Sequence, residues 1–186
     1  MLQKTPNYIK YIFINFILLI VFNTIFRMLF YSFFAELDTA TSSEVQTAFW
    51  FGFRFDIKLA AIAIFPLSLL VLIVNRRFFT SSIYRKFANI YLVLTYIILT
   101  VFYAIDFGYY DYLSIRLDAA SLRFLEDLKI SSQVLLESYP VFKGLIGFLI
   151  LGFLIFKLSK FIYSKFKNHQ KHISKKIKAI YFIATF

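Results

Sequence analysis

The chain has 186 residues, 60% of them hydrophobic and 22% aromatic, with a formal net charge of +11. So much apolar content lies far outside the range of soluble domains, few of which bury that much surface, so a soluble helical bundle is excluded. The basic excess sits beside apolar blocks, and every charged residue after Glu137 is a lysine, a pattern that suits anionic lipid headgroups and excludes nucleic acid.

The sequence predicts an all-α polytopic membrane bundle with four complete spans and the start of a fifth. A span needs about 20 apolar residues. The first block, Tyr11–Ala35, follows Lys4 and Lys10 as a signal sequence would. It is longer than a secretory apolar core, and Phe33-Phe34-Ala35 lacks the small residue that cleavage favours, so it reads as an uncleaved anchor. Arg27 falls inside it, roughly 12 Å from its far end. A charge there costs at least ~2.5 kcal/mol unless it is partnered or snorkels. Asn23 is one turn earlier on the same face and Asn15 lies farther round, a polar stripe expected to turn toward other helices. Arg27 therefore has two readings: a tie between two helices, or a contact to an anionic lipid headgroup.

Gly52-Phe53-Arg54-Phe55-Asp56 leads into the second span, Ile57–Val74. Arg54 and Lys58 are four residues apart and share a helix face, from which Asp56 points away. Two cations so placed can grip a phosphate, Arg54 through its planar fork. Asp56 is left to meet Arg27 or a backbone donor. The alternative is an interface anchor, because Phe49, Trp50, Phe51, Phe53 and Phe55 form an aromatic belt there. Pro66 removes one backbone hydrogen bond and is expected to kink the span.

The third span, Phe87–Ile105, leads to a loop over 106–140. Leu117, Ser121, Phe124, Leu125 and Leu128 recur there at helical spacing, and Asp118 is placed to cap that helix. A second short helix is expected from Ser131 or Ser132 to Tyr139-Pro140. Both are expected to lie on the membrane surface or to pack on the protein itself, with Tyr109, Tyr110, Tyr112 and Tyr139 at headgroup level. Asp106, Asp111 and Asp118 are five and seven apart, a spacing that matches no cation loop, so no metal site is assigned.

The fourth apolar block is Val141–Phe156, a span reaching to about residue 158. A lysine-rich loop follows, and its His169 and His172 read as solvated. The fifth block, Ile177–Phe186, holds ten residues, about 15 Å as helix and half a hydrocarbon core. The expectation is a truncated chain whose continuation lies outside the cell membrane.

Orientation follows from Lys and Arg. Fourteen of them lie in the N-terminus and the loops after spans two and four, against six among all the acids on the other side. The N-terminus is therefore expected in the cytoplasm. Cysteine is absent, so thiolate chemistry is excluded. There is also no Gly-rich phosphate loop and no nucleophile with a base beside it, so no catalytic residue and no cofactor is assigned to this segment. A transporter or channel subunit would need polar residues midway along several spans. Spans three and four offer Thr95, Thr100, Gly144, Gly147 and Gly152, which fit close packing better. A non-catalytic membrane scaffold remains open, since it needs the same spans.

Three stretches carry a resemblance over nearly the whole chain: Gly52–Asp56, the run Asp106-Phe-Gly-Tyr-Tyr-Asp-Tyr-Leu, and Arg116–Asp127 (RLDAASLRFLED). Together with five spans and an inside N-terminus, they resemble the membrane domain of the lipoteichoic acid synthase-like family. Ser138-Tyr-Pro-Val141 is similar to its Gram-negative members. These are phosphoglycerol or phosphoethanolamine transferases of the sulfatase/alkaline phosphatase superfamily. The resemblance implies a bacterial cytoplasmic (inner) membrane protein whose catalytic domain follows the fifth span. There a threonine activated by Mn²⁺ or another divalent metal would take the headgroup from a phospholipid, phosphatidylglycerol or phosphatidylethanolamine. None of those catalytic residues falls within this chain. What the resemblance leaves here is an anchor and a candidate lipid platform. In it Arg54, Lys58 and Arg116 attract the headgroup phosphate, and Arg27 with Asp56 fixes the helix presenting them. Oligomeric state is not legible.

Overall fold

The computed structural model describes residues 7–35, 41–74, 77–117 and 141–167, and among them the regular structure is entirely helical. The elements are α1 (Asn7–Phe34), α2 (Ser42–Val74), α3 (Arg77–Thr80), α4 (Ser82–Leu113) and α5 (Val141–Lys167). All but α3 are long and apolar enough to cross a membrane. Only 22–28% of each apolar stretch is buried within the chain, so most of its surface needs lipid or another apolar partner. The exposed side chains have that character: Phe13, Ile17 and Val21 on α1, Ile62 and Ile73 on α2, Ile98 and Phe102 on α4, and Leu149 and Phe153 on α5.

Helices outrun the apolar blocks that announce them. α2 begins at Ser42, fifteen residues before the expected span, because nothing between Ser42 and Asp56 interrupts backbone hydrogen bonding. Glu44 reaches back to start it, as in one half of a capping box: the Thr41 amide donates to Glu44 Oε2 at 2.9 Å. α2 also remains one helix through Pro66. α4 runs on to Leu113, so residues 106–113, expected in a loop, are its last two turns. α5 carries Lys160 and Lys165 in helical register beyond the expected span. The expected surface helices over 118–140 and the fifth span over 177–186 lie outside the described residues.

The chain divides into two compact units. The first holds α1, α2, α3, the start of α4 through Tyr91, and the end of α5 from Leu158. Here Ile12, Asn15, Leu19 and Asn23 form a buried stripe on α1, and Gly52, Asp56, Ala60 and Ile64 form one on α2. Both stripes recur at three- and four-residue spacing, which lets the two helices interlock lengthwise. Near the beginning of α1, the rings of Tyr11, Phe78, Phe79 and Tyr163 cluster with centroids 5.1–6.0 Å apart. The Tyr163 hydroxyl donates to the Phe78 carbonyl, which fastens α3 to α5. Asn7 Nδ2 donates to the Phe166 carbonyl at 2.9 Å, and Ser159 Oγ donates to Asn89 Oδ1 at 2.8 Å in a fully buried pair.

The second unit is α4 from Leu92 and α5 through Lys157, with the residues that follow α4. Leu92, Tyr96 and Leu99 are buried at helical spacing on α4, as is Ile155 on α5. Ile97 reaches over Gly152, where an added Cβ would make an ordinary contact at 3.6 Å. The chain leaves α4 through Ser114, which takes a left-handed conformation (φ 56°) with its amide bonded to the Tyr110 carbonyl at 2.8 Å.

Candidate functional site

In the first unit, the end of α1 and the beginning of α2 enclose a polar cluster inside an otherwise apolar pair of helices. Arg27 meets Asp56 edge to edge: Nη2 donates to Oδ1 at 2.7 Å and Nε donates to Oδ2 at 3.1 Å. The same Nη2 donates to the Gly52 carbonyl at 2.8 Å, and Thr24 Oγ1 donates to Asp56 Oδ2 at 3.3 Å. Asn23 Nδ2 is 3.4 Å from the Asp56 carbonyl, one turn along the same α1 face. The Asp56 side chain is 2% exposed and the Arg27 side chain 27%. The carboxylate is thus enclosed, and the guanidinium is the part that solvent or a ligand can reach.

Gly52 is the residue that admits this arrangement. A Cβ built on it would sit 2.1 Å from Arg27 Nη1, well inside any real contact. The guanidinium lies flat on the backbone of α2 because no side chain stands there. Among the described residues, Nη1 makes no hydrogen bond.

Above the ion pair opens a cleft of about 580 Å³ lined by Thr24, Arg27, Ser43, Gln46, Thr47, Phe49, Trp50, Phe53 and Asp56. That volume is within the ~300–1,000 Å³ of small-molecule sites. Its α2 wall is one helix face, since 43, 46, 47, 50 and 53 recur every three or four residues. Hydroxyls and an amide occupy the first two turns of that wall, and aromatic rings occupy the next two.

Arg27 and Asp56 are therefore together, while Arg54 and Lys58 stand apart from them. Each is two residues from Asp56, about 200° round the helix, and both are exposed. The Lys58 ammonium lies 5.3 Å over the Phe55 ring, a cation–π contact suited to a half-wet interface. Arg116 belongs to the second unit and is tied to α4. Its Nη2 lies 2.7 Å from Asp106 Oδ2 and its Nε donates to Asp106 Oδ1 at 3.2 Å, while the Leu117 amide donates to Oδ1 at 3.0 Å. Its side chain is still 54% exposed, so the outer face of the guanidinium is accessible.

Sequence reasoning missed Thr24, Gly52 as a seat, and the Ser43–Gln46–Thr47 wall, which lies between the first two expected spans. The signal was present in the helical spacing of 43, 46, 47 and 50, but apolar content alone marks only where lipid begins. Among the described residues, no three Asp, Glu or His side chains converge as a metal would need. Asp106 is already engaged by Arg116 and the Leu117 amide.

These features define a multi-pass helical membrane protein with an ion pair between two helices beneath a cleft. No family model, curated protein or solved structure matches the chain.

Proposed function

We propose that the chain is the membrane anchor and lipid-substrate platform of a sulfatase-like phosphoglycerol or phosphoethanolamine transferase. It would work on the outer face of a bacterial cytoplasmic membrane, with its N-terminus in the cytoplasm. The observation that carries this reading is the exposure of Arg54 and Lys58 on one face of α2, beside a belt of exposed aromatic rings. Cations at that depth draw a phosphate to the surface, and the rings hold the helix at a fixed height in the headgroup layer. The Arg27–Asp56 tie sets the rotation of α2 and so the direction in which the two cations face. The resemblance of the 52–56 and 106–127 stretches supplies the enzyme class. In this reading the catalytic domain, with its metal and its threonine nucleophile, lies on the polypeptide beyond the spans.

The test has two parts. Reading the coding sequence past Phe186 should reveal an extracytoplasmic domain of the sulfatase fold. A different domain, or a stop codon in an intact genome, would overturn the transferase reading. In the intact enzyme, Arg54→Ala should slow turnover of the lipid donor with no change in membrane-inserted protein. Equal loss of both would make Arg54 an anchor only.

A further inference from the structure

The Arg54–Lys58 face can attract a phosphate, but neither residue lines the cleft. The cleft beside Arg27, nearer the start of α2, has walls, donors and an opening, and the platform reading leaves it unused. We propose that this cleft is the seat of a phospholipid headgroup. Its phosphate would lie against Arg27, and the polar group it esterifies would lie along Ser43, Gln46 and Thr47. The inference rests on the platform reading and names where on the platform the headgroup lodges.

The chemistry of the lining points to an anion with a polar tail. Both oxygens of Asp56 are engaged by Arg27 and Thr24, so the ion pair presents no net negative charge to an incoming phosphate. What faces the cleft is a guanidinium with the two N–H bonds of Nη1 unassigned among the described residues. A phosphodiester oxygen is the acceptor that matches them. Ser43, Gln46 and Thr47 lie on one face and supply both donors and acceptors, which suits a hydroxyl or amine neighbour of the phosphate.

The position points to a lipid in preference to a free phosphate. Phe49, Trp50 and Phe53 form the remaining wall, and Trp50 is 61% exposed, as a ring at the boundary between headgroups and acyl chains would be. Met28 on α1 and Phe51 on α2, each next in sequence to a lining residue, are exposed apolar surface on which acyl chains can lie. A soluble phosphate would use the polar wall and leave the aromatic one idle.

Trp50 is the chain's single tryptophan, so its fluorescence reports on one place on α2, and the variants tell the cleft from its neighbours. The full chain is purified into nanodiscs of phosphatidylcholine and titrated with short-chain phosphatidylglycerol. Parallel titrations use glycerol phosphate and inorganic phosphate at matched ionic strength. The expected result is a saturable shift of Trp50 emission with the phospholipid, and at least tenfold weaker shifts with the two soluble anions. The paired variant Arg27→Gln/Asp56→Asn keeps a neutral hydrogen-bonded contact and should weaken the lipid titration tenfold or more. Gln46→Ala, at an exposed position where folding is not at risk, should weaken it about three- to tenfold with unchanged thermal stability. Equal affinity for inorganic phosphate would overturn the lipid assignment. A shift that survives Arg27→Gln/Asp56→Asn and Gln46→Ala but disappears in Arg54→Ala/Lys58→Ala would move the headgroup from Arg27 to Arg54 and Lys58, one and two turns past Trp50 along α2, leaving the platform reading in place. No saturable response, together with no phospholipid retained in native mass spectrometry, would overturn both.

Discussion

Gly52 and Arg27 occupy one space: the guanidinium rests where a side chain at position 52 would begin, with Nη1 2.1 Å from the position of that Cβ. The glycine is therefore part of the ion pair even though it contributes only a carbonyl to it. Gly52→Ala should push Arg27 off Asp56 and destabilise the protein by about 1–3 kcal/mol, the usual range for overpacking a filled site. Gly144→Ala and Gly147→Ala are the matched controls, since an added Cβ meets nothing within 4 Å at either position. Each should be neutral or stabilising by up to ~1 kcal/mol, because alanine is the better helix former. Thermal unfolding of the detergent-solubilised variants measures the contrast, and equal losses at all three positions would refute the packing argument.

The ion pair itself should behave as a unit. Arg27→Leu leaves the enclosed Asp56 carboxylate without its partner, and Asp56→Leu leaves a guanidinium stranded between helices. Each single change should cost about 3–5 kcal/mol, whereas the double change removes both charges and should cost much less than the sum. A double-mutant cycle on unfolding free energy provides the comparison. Strict additivity would mean that the two side chains do not depend on one another.

The parts of this fold legible in the sequence are those governed by one helix at a time. Four apolar runs locate the membrane-crossing helices, and the 200° between Asp56 and its neighbours Arg54 and Lys58 separates them onto different faces of α2. The position of Arg27 within an apolar run called for a partner or for snorkelling, and in the structure it pairs with Asp56. Helix ends were not legible, because hydropathy marks where lipid stops and not where backbone hydrogen bonding stops; Ser42–Asp56 and Asp106–Leu113 are helical but polar or aromatic. Nor was the pairing of Arg116 with Asp106 legible. It depends on a left-handed turn at Ser114, a conformation serine does not advertise. The cleft needed two helices in register, and a single strand of sequence does not state register.

Ser159 and Asn89 form a buried polar pair, both under 6% exposed, with the serine hydroxyl donating to the amide oxygen. Ser159→Ala removes the donor and leaves the Asn89 oxygen buried without it. The expected loss is about 1–3 kcal/mol, the penalty for an unsatisfied buried acceptor. Ser164→Ala serves as the comparison, because Ser164 is exposed and its hydroxyl bonds the Phe161 carbonyl of its own helix. It should change stability by no more than about 0.5 kcal/mol. Chemical denaturation of the two variants in the same detergent checks the ranking.

Asp106 lies two turns before the end of α4, and it is 7% exposed. It is stabilised by the segment that folds back over it, through Arg116 and the Leu117 amide. The two bonds are unequal. Arg116 is 54% exposed, and an ion pair that solvent reaches is worth about 0–1 kcal/mol. The Leu117 amide bonds a mostly buried carboxylate, an interaction worth about 1.5–3 kcal/mol. Removing the carboxylate should therefore loosen the turn more than removing the arginine. Asp106→Ala should raise hydrogen exchange at residues 114–117 by about tenfold or more, and Arg116→Ala by about twofold to fivefold, with α4 still helical in both by circular dichroism. The reverse order would mean that the guanidinium, and not the backbone amide, holds the chain against the end of α4.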